Sequence, residues 1–440
     1  MGAAKVYIET YGCQMNEYDS EIVRRVLTGN GYDFTDTPED ADIIFLNTCA
    51  VRANAQRKVL QRIDLFKKLK GRKQGLLIGV LGCVAQNLKT ELFNSGIGVD
   101  VVAGPDSYRT LPELLRRVQE TKETRCATTL SVEETYSDLF PAQQSGKVNA
   151  WVAVMRGCDN FCSFCVVPYT RGRERCRAPD NIIEEITALA AKGYKQVTLL
   201  GQNVNSYKYE GFTFAQLISA VSRIEGIRRI RFTSPHPKDF PDDLLEVVAD
   251  NDKVCKHIHL PLQSGNTRIL QMMNRTYSKE EYLALAHRMR ERIGNLALTT
   301  DIIVGFPTET REEYEDTLDV MRQVEFDAAF MFKYSERAGT AAAQKYPDDI
   351  SAAEKTDRIT RLVDLQRSIS LERNQRHLNE TYDVLVEGTA RKPDQLRGRN
   401  DENKIVVFPD NGAQAGDFVN VRIEEVTPNT LIGVAVQPVT

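Results

Sequence analysis

RGCDNFCSFC, residues 156–165, sets Cys158, Cys162 and Cys165 at a three-then-two spacing, directly after an apolar segment, Trp151 to Met155, that reads as a β-strand. A closed structural metal site, or a fully ligated iron–sulfur cluster, takes four cysteines. Three in one short loop leave one metal position without a protein ligand, open to a small molecule. A zinc knuckle is the competing reading. It is disfavoured because no histidine lies nearby and no fourth cysteine stands at a zinc-site spacing.

Outward from this loop the chain repeats a strand-then-helix rhythm. QVTLLG (196–201), IRRIRF (227–232), VCKHIHL (254–260), ALTTDIIVG (297–305) and DAAFMFKYS (327–335) follow the first strand, with helical segments between them. Six such units make a parallel sheet, open or partly closed, with function expected at its carboxyl edge. A long helical stretch, Ser351 to Leu378, closes the unit. After Thr381 the pattern changes to short alternating strands, YDVLVEG, QLRGR, KIVVFP, DFVNVRIEEV and LIGVAV, which predict a small antiparallel barrel.

Residues 4–120 alternate short apolar runs (KVYIETYG, ADIIFLNT, LLIGVLG, VDVVAG) with helical segments, as expected of a parallel α/β domain covered on both faces. The polar, Pro141-interrupted stretch TTLSVEETYSDLFPAQQSG reads as part of a linker. The expected divisions are therefore 1–120, a linker at 121–149, 150–378 and 379–440. Cys13, Cys49 and Cys83 each follow one of the first three long apolar runs. Strand carboxyl ends share one edge of an open parallel sheet, so these thiols are expected to converge as a second trio. The alternative is three unrelated buried cysteines.

Composition sets the class. The chain has 440 residues, 42% hydrophobic and 27% charged, as in an ordinary globular protein. No stretch approaches a membrane-spanning apolar run, and no basic-then-apolar leader precedes Tyr11, so a cytoplasmic protein is expected. Nine cysteines, an odd number, point to metal or redox chemistry rather than a disulfide framework. The net charge of −4 hides two basic runs, Arg57 to Lys73 and the alternating Arg171, Arg173, Arg175 and Arg177. Such runs are more often solvated surfaces than nucleic-acid sites, so charge alone does not establish an RNA partner.

The cysteine loop, with Phe164 before its last cysteine, resembles that of the radical S-adenosylmethionine (SAM) enzymes. TYGCQMNEYDSE (10–21), RGCDNFCSFCVVPYTRGRE (156–174) and LLGQNVNSY (199–207) together resemble their methylthiotransferase family over essentially the whole chain. The resemblance implies three parts: an N-terminal domain with an auxiliary cluster, a radical-SAM partial (β/α)6 barrel, and a C-terminal TRAM barrel that binds RNA. It implies two 4Fe–4S clusters, one on Cys13, Cys49 and Cys83 and one on Cys158, Cys162 and Cys165. Within the family, Gln14 and Met15 after the first cysteine favour the tRNA branch. That branch adds a methylthio group to carbon 2 of N6-isopentenyladenosine beside the anticodon, using one SAM as methyl donor and one as radical source. The rivals are a sister enzyme acting on threonylcarbamoyl-adenosine tRNA or ribosomal protein S12, and a non-catalytic iron–sulfur protein for RNA binding or electron transfer.

The same resemblance implies SAM contacts from Gly201, Gln202, Asn203, Gln263, Ser264, Asp301, Val304 and Glu309, a low-potential electron donor, a sulfur source and a monomer. RNA contacts are expected from Tyr169, Arg171 and Arg173, and, in the barrel, from Arg391, Lys392, Arg397, Arg399 and Lys404. Cys176 stands where the family usually has Ser and is expected to be a near-isostere. His257 and His259 share a strand face and are expected to be hydrogen-bonded structural residues. Cys126, in the linker, and Cys255, in a strand, are expected not to be ligands.

Overall fold

The apolar runs of the first third form strands buried on both faces. Ile43–Thr48 has every residue buried, as does Leu77–Leu81, the pattern of central strands in a parallel sheet. The structure is a computed structural model, and it describes residues 3–50, 53–89, 91–94, 97–121, 123–141 and 148–436. Six parallel strands, β1 (Lys5–Tyr11), β2 (Asp33–Phe34), β3 (Ile43–Thr48), β4 (Leu77–Leu81), β5 (Val101–Ala103) and β6 (Arg125–Ala127), lie in the order β2-β1-β3-β4-β5-β6. Helices α1 (Gln14–Thr28), α2 (Ala53–Arg72) and α3 (Gly82–Leu88) follow β1, β3 and β4. The stretch expected to be only a linker supplies β6, which pairs with β5 through Val102 and Cys126. Tyr136, from the same stretch, is fully buried and stacks on Tyr108. Linker-like composition had masked an edge strand three residues long.

The central unit carries β7 (Asn149–Ala153), a two-stranded ribbon of β8 (Met155–Arg156) and β9 (Arg175–Cys176), then β10 (Gln196–Leu200), a small hairpin of β11 (Lys208–Tyr209) and β12 (Phe212–Thr213), and β13 (Arg229–Phe232). It continues with β14 (His257–His259), β15 (Ala297–Val304) and β16 (Ala328–Lys333). The parallel triplets β7-β10-β13 and β14-β15-β16 are joined through an Ile230–Val254 bridge, giving the partial barrel. Cys255 is buried just before β14 rather than within a strand. The last five strands, β17 (Thr381–Thr389), β18 (Gln395–Arg399), β19 (Ile405–Pro409), β20 (Phe418–Val426) and β21 (Thr430–Ala435), close a barrel around Val384, Leu396, Val406, Phe408, Val421 and Leu431.

Buried charge ties the units together. Asp19 on α1 is fully buried and accepts from Arg156 at 2.6 Å, from Arg171 at 2.8 Å and from the Tyr108 hydroxyl at 3.3 Å. Arg175 reaches Asp106 at 2.9 Å, and Arg177 donates to the Tyr18 hydroxyl at 3.1 Å and pairs with Glu185 at 2.6 Å. At the other end, Arg231 donates to the carbonyls of Asn400 (2.6 Å) and Asp401 (2.9 Å), Arg229 to that of Arg399 (2.6 Å), and Lys404 pairs with Asp327 (2.9 Å).

Burial alone would raise the Asp19 carboxyl, but Arg156 and Arg171 beside it hold it below the ordinary carboxylate range. Its stabilising contribution is therefore complete above the unfolded pKa of about 3.9 and is lost as the pH falls through the lower folded value. Removing one partner of a buried ion pair leaves the other charge uncompensated, at a cost of about 3–5 kcal/mol. Asp19→Ala is expected to lower the unfolding free energy extrapolated from urea titration by that amount at neutral pH; a value matching wild type would show that the two arginines find compensation elsewhere.

Candidate active site

Cys13, Cys49 and Cys83 stand at the carboxyl ends of the adjacent strands β1, β3 and β4, and the structure brings them together. The Cys49 amide donates to the Tyr11 carbonyl at 2.9 Å, and Thr48 bridges to Gly82. Two glycines permit this approach. A Cβ on Gly12 would lie 2.5 Å from Cys49 Cβ, and one on Gly82, at φ +82°, would lie 2.4 Å from Asn47 Oδ1. Asn47 donates to the Asn16 carbonyl (2.9 Å) and Ser20 (2.8 Å), fixing the strand ends, while the Cys13 thiol donates to Asn16 Oδ1 at 3.3 Å. A hydrogen bond with Cys49 pulls the Cys13 thiol down to about 6 against the effect of burial, whereas burial pushes Cys83 up, opposed by the Arg171 guanidinium beside it.

The second trio lies between β8 and the short helix Val167–Arg171. Gly157, at φ +78°, allows the loop to run against the Arg173 carbonyl, which a Cβ would meet at 2.0 Å. Cys158 donates its amide to the Gly172 carbonyl at 3.2 Å, and the Cys165 amide bonds to the Cys162 carbonyl at 2.9 Å. The Val167 amide points at Cys165 Sγ (3.5 Å) and Arg275 Nη1 donates to Cys162 Sγ (3.3 Å). Burial pushes the Cys158 and Cys165 thiols up to about 12, so a metal must displace their protons to bind. Among the described residues no three His, Cys, Asp or Glu side chains are close enough to hold a single metal ion. Three cysteines per trio, with an amide and a guanidinium aimed at sulfur in the second, fit an iron–sulfur cluster that leaves one iron open.

One cavity of about 1120 Å³ reaches each trio, at Cys13 and Cys49 of the first and at Cys165 of the second. Its lining follows the inward positions of the partial barrel: Asn149 and Trp151, Gln196 and Thr198, Arg231, His257 and His259, Thr299, Asp301 and Ile303, Phe330 and Phe332. Thr299 Oγ1 lies 3.0 Å from both His257 Nε2 and His259 Nδ1, and His259 Nε2 lies 3.4 Å from Asp301. The two histidines are thus hydrogen-bonded to protein.

Of the residues expected to contact SAM, Gln263 and Asp301 line the cavity. Gly201 sits against Met155, and Gln202 Oε1 and Asn203 Oδ1 are buried acceptors without a protein partner, suited to a polar ligand. Ser264 is buried and Val304 is part of the core. Glu309 differs from expectation: its carboxylate accepts from the Gly305 amide (2.7 Å) and Arg358 (2.6 Å), a structural ion pair. Sequence reasoning missed Glu174, which accepts from the Asp159 amide, Asn203 and Ser206 and so ties the cysteine loop to the Gly201 turn. It also missed Arg337, which lines the cavity with Cys49.

Several expected RNA contacts are corrected. Arg171 is 3% exposed and committed to Asp19, because its position at the end of the short helix Val167–Arg171 faces the neighbouring domain. Lys404 is drawn into the interdomain pair with Asp327, and Arg399 donates to Glu387 and the Asn403 carbonyl. Tyr169, Arg173, Arg391, Lys392 and Arg397 are exposed.

The chain matches the family models described as Uncharacterized protein family UPF0004 (residues 5–104), Radical SAM superfamily (152–321) and TRAM domain (375–436). With two thiol trios on one cavity, these define the class as a radical SAM methylthiotransferase carrying a TRAM domain. The tRNA-2-methylthio-N(6)-dimethylallyladenosine synthase of Bacteroides thetaiotaomicron is 48% identical over 436 residues, covering 98% of this chain and 95% of its own; that of Chloroherpeton thalassium is 46% identical, covering 98% and 96%. The radical SAM methyltransferase TsrM from Kitasatospora setae, 13% identical, shares the fold at a TM-score of 0.60, over 78% of this chain and 77% of that one. The chain belongs to the tRNA-2-methylthio-N(6)-dimethylallyladenosine synthase family.

A side chain at Gly157 would combine a left-handed backbone, costing about 1–2 kcal/mol for an L-residue, with a backbone clash. Gly157→Ala is expected to lose iron from the Cys158 trio on reconstitution. Gly193→Ala, at φ +92° with nothing within 4 Å of the new Cβ, is the control and should keep it. Equal iron in both variants would contradict this role for Gly157.

Proposed function

We propose that this chain adds a methylthio group to carbon 2 of N6-isopentenyladenosine next to the anticodon of a tRNA, consuming one SAM as methyl donor and one as radical source. The observation that carries the reading is the opening of both thiol trios onto one cavity, Cys13 and Cys49 on one wall and Cys165 on another. Carbon 2 of an adenine carries neither an acidic proton nor a leaving group, so polar acid–base chemistry does not functionalise it. An iron–sulfur cluster with one iron free of cysteine supplies, when bound, the electron that splits SAM into methionine and a 5′-deoxyadenosyl radical.

The protein's own residues provide placement. Cys158, Cys162 and Cys165 would hold one 4Fe–4S cluster, and Cys13, Cys49 and Cys83 the other. Gln202, Asn203, Gln263 and Asp301 offer polar groups to SAM, and the cavity lined by Trp151, Phe330 and Phe332 accepts a splayed base. Exposed Arg391, Lys392 and Arg397 on the barrel suit RNA phosphates. Among the described residues no helix is long and apolar enough to cross a membrane; a monomer working in the cytoplasm, where tRNA, a low-potential reductant and a sulfur source meet, agrees with this reading.

The test is iron and product accounting. Anaerobic reconstitution should give about eight iron per chain, and replacing Cys158, Cys162 and Cys165 together by Ala should leave about half. Cys49→Ala should still form 5′-deoxyadenosine but no methylthiolated nucleoside. A triple variant that keeps all its iron, or a Cys49 variant with an intact Cys158 cluster and no 5′-deoxyadenosine, would overturn the assignment.

Replacing Arg391, Lys392 and Arg397 by Ala should weaken tRNA binding and flatten the dependence of log K on log salt by about 2–3, without changing which nucleoside is modified. Filter binding over a salt series reads this directly. An unchanged slope would move the phosphate grip elsewhere.

A further inference from the structure

Arg275 follows the helix Thr267–Met272 and is 7% exposed. Its Nε donates to the Tyr277 hydroxyl oxygen at 3.0 Å, its Nη2 to the Pro261 carbonyl at 3.0 Å, and its Nη1 to Cys162 Sγ at 3.3 Å. Tyr277 in turn donates to the Pro261 and Leu262 carbonyls and presents its ring 5.2 Å from the guanidinium. Two arms of the fork are therefore fixed by neutral groups, and the third meets sulfur.

Among the described residues no Asp or Glu hydrogen-bonds or ion-pairs with Arg275. The other buried arginines around the thiols each have a carboxylate: Arg156 and Arg171 have Asp19, Arg175 has Asp106 and Arg177 has Glu185. A buried charge that lacks a partner is strongly unfavourable. The group left to compensate Arg275 is the Cys162 thiolate and whatever anion it helps to hold.

The geometry points to Arg275 as a positioning residue that lends its positive charge and an N–H···S bond to the Cys162 thiolate, raising the reduction potential of the cluster on Cys158, Cys162 and Cys165. It rests on the reading of that trio as a cluster site. Reduction adds one electron to the site, taken from the low-potential donor, which is oxidised by one electron; no bond or proton is exchanged. A nearby fixed cation and a donor to sulfur stabilise the more electron-rich form. The Cys165 sulfur receives a backbone amide, so the N–H···S bond from Arg275 falls at one corner of the trio while its charge also bears on Cys158 and Cys165.

The test uses the full-length, anaerobically reconstituted protein with Arg275→Met and Arg275→Lys. Iron is counted first, and a reductive titration, run with Cys13, Cys49 and Cys83 replaced by Ala so that the Cys158 trio alone holds a cluster, then follows the electron paramagnetic resonance signal that changes on adding SAM. Arg275→Met is expected to lower the ratio of reduced to oxidised cluster at least tenfold at a fixed donor potential, about 59 mV for a one-electron couple. Arg275→Lys, which keeps the charge without the planar fork, should fall between the two. Loss of the SAM-responsive cluster from a folded Met variant, with recovery in the Lys variant, also supports the inference. A Met variant with wild-type potential, or unfolding of both variants, makes Arg275 a packing residue and overturns it. If the wild-type protein shows no SAM-responsive signal, the cluster reading fails instead.

Discussion

One buried carboxylate holds the two α/β units in register. Asp19 lies on the first turns of α1, six residues after Cys13, and accepts from Arg156 and Arg171, which flank the Cys158–Cys165 loop on both sides. The helix that begins directly after Cys13 of one trio thus carries the carboxylate bonded to the two arginines that bracket the other. Two guanidiniums against one carboxylate leave a positive charge in the interface. Arg171, turned toward Cys83 and Cys13, delivers it where thiolates gather. Arg175 with Asp106 and Arg177 with Tyr18 extend the seam. The shared cavity exists because this seam closes.

The backbone before three of the six cysteines obeys a matching constraint. Gly12, Gly82 and Gly157 each immediately precede a thiol, and each has φ between +78° and +155° with no room for a Cβ. A cysteine at the end of a strand must turn its side chain over the sheet edge. With neighbouring strands about 4.8 Å apart, the turn brings backbone against backbone. Glycine provides both the left-handed conformation and the clearance. The motifs TYGC, LGC and RGC are therefore steric statements as much as chemical ones.

Periodicity carried most of the architecture. The six central strands and the five barrel strands lie where apolar runs and turn residues place them, and the convergence of Cys13, Cys49 and Cys83 followed from strand ends sharing an edge. Charge was harder to read. The alternating run at 171–177 looks like a basic surface, yet Arg171, Arg175 and Arg177 are buried and only Arg173 faces solvent. The difference lies in distant partners that local sequence does not contain: Asp19, 152 positions from Arg171, Asp106, 69 from Arg175, and Tyr18, 159 from Arg177. Lys404 is likewise drawn to a distant partner, Asp327, whereas Arg399 is engaged locally by Glu387 and the Asn403 carbonyl. Conversely, β6 hid in a polar stretch because an edge strand of three residues needs little apolar content to pair.

The interior of the central barrel departs from what an ordinary (β/α) barrel does with that space. Such barrels fill their interior with layers of branched apolar side chains, whereas here the inward positions carry Asn149, Gln196, Thr198, Arg231, His257, His259, Thr299 and Asp301. Polar groups in this position need partners. Many find them within the ring: Gln196 and Thr198 donate to Asn149, Arg231 to Gln196, and the histidines share Thr299. At the amino end of the strands the ring alone does not suffice. Arg231 reaches out to the carbonyls of Asn400 and Asp401, and Asp327 receives Lys404. The turn between β18 and β19 of the small barrel therefore closes the floor of the cavity. A polar interior that is left open requires an external floor, and the C-terminal barrel provides it. One segment of that barrel therefore carries both exposed Arg397 on its outside and, within, the Asn400 to Lys404 turn that meets the central unit.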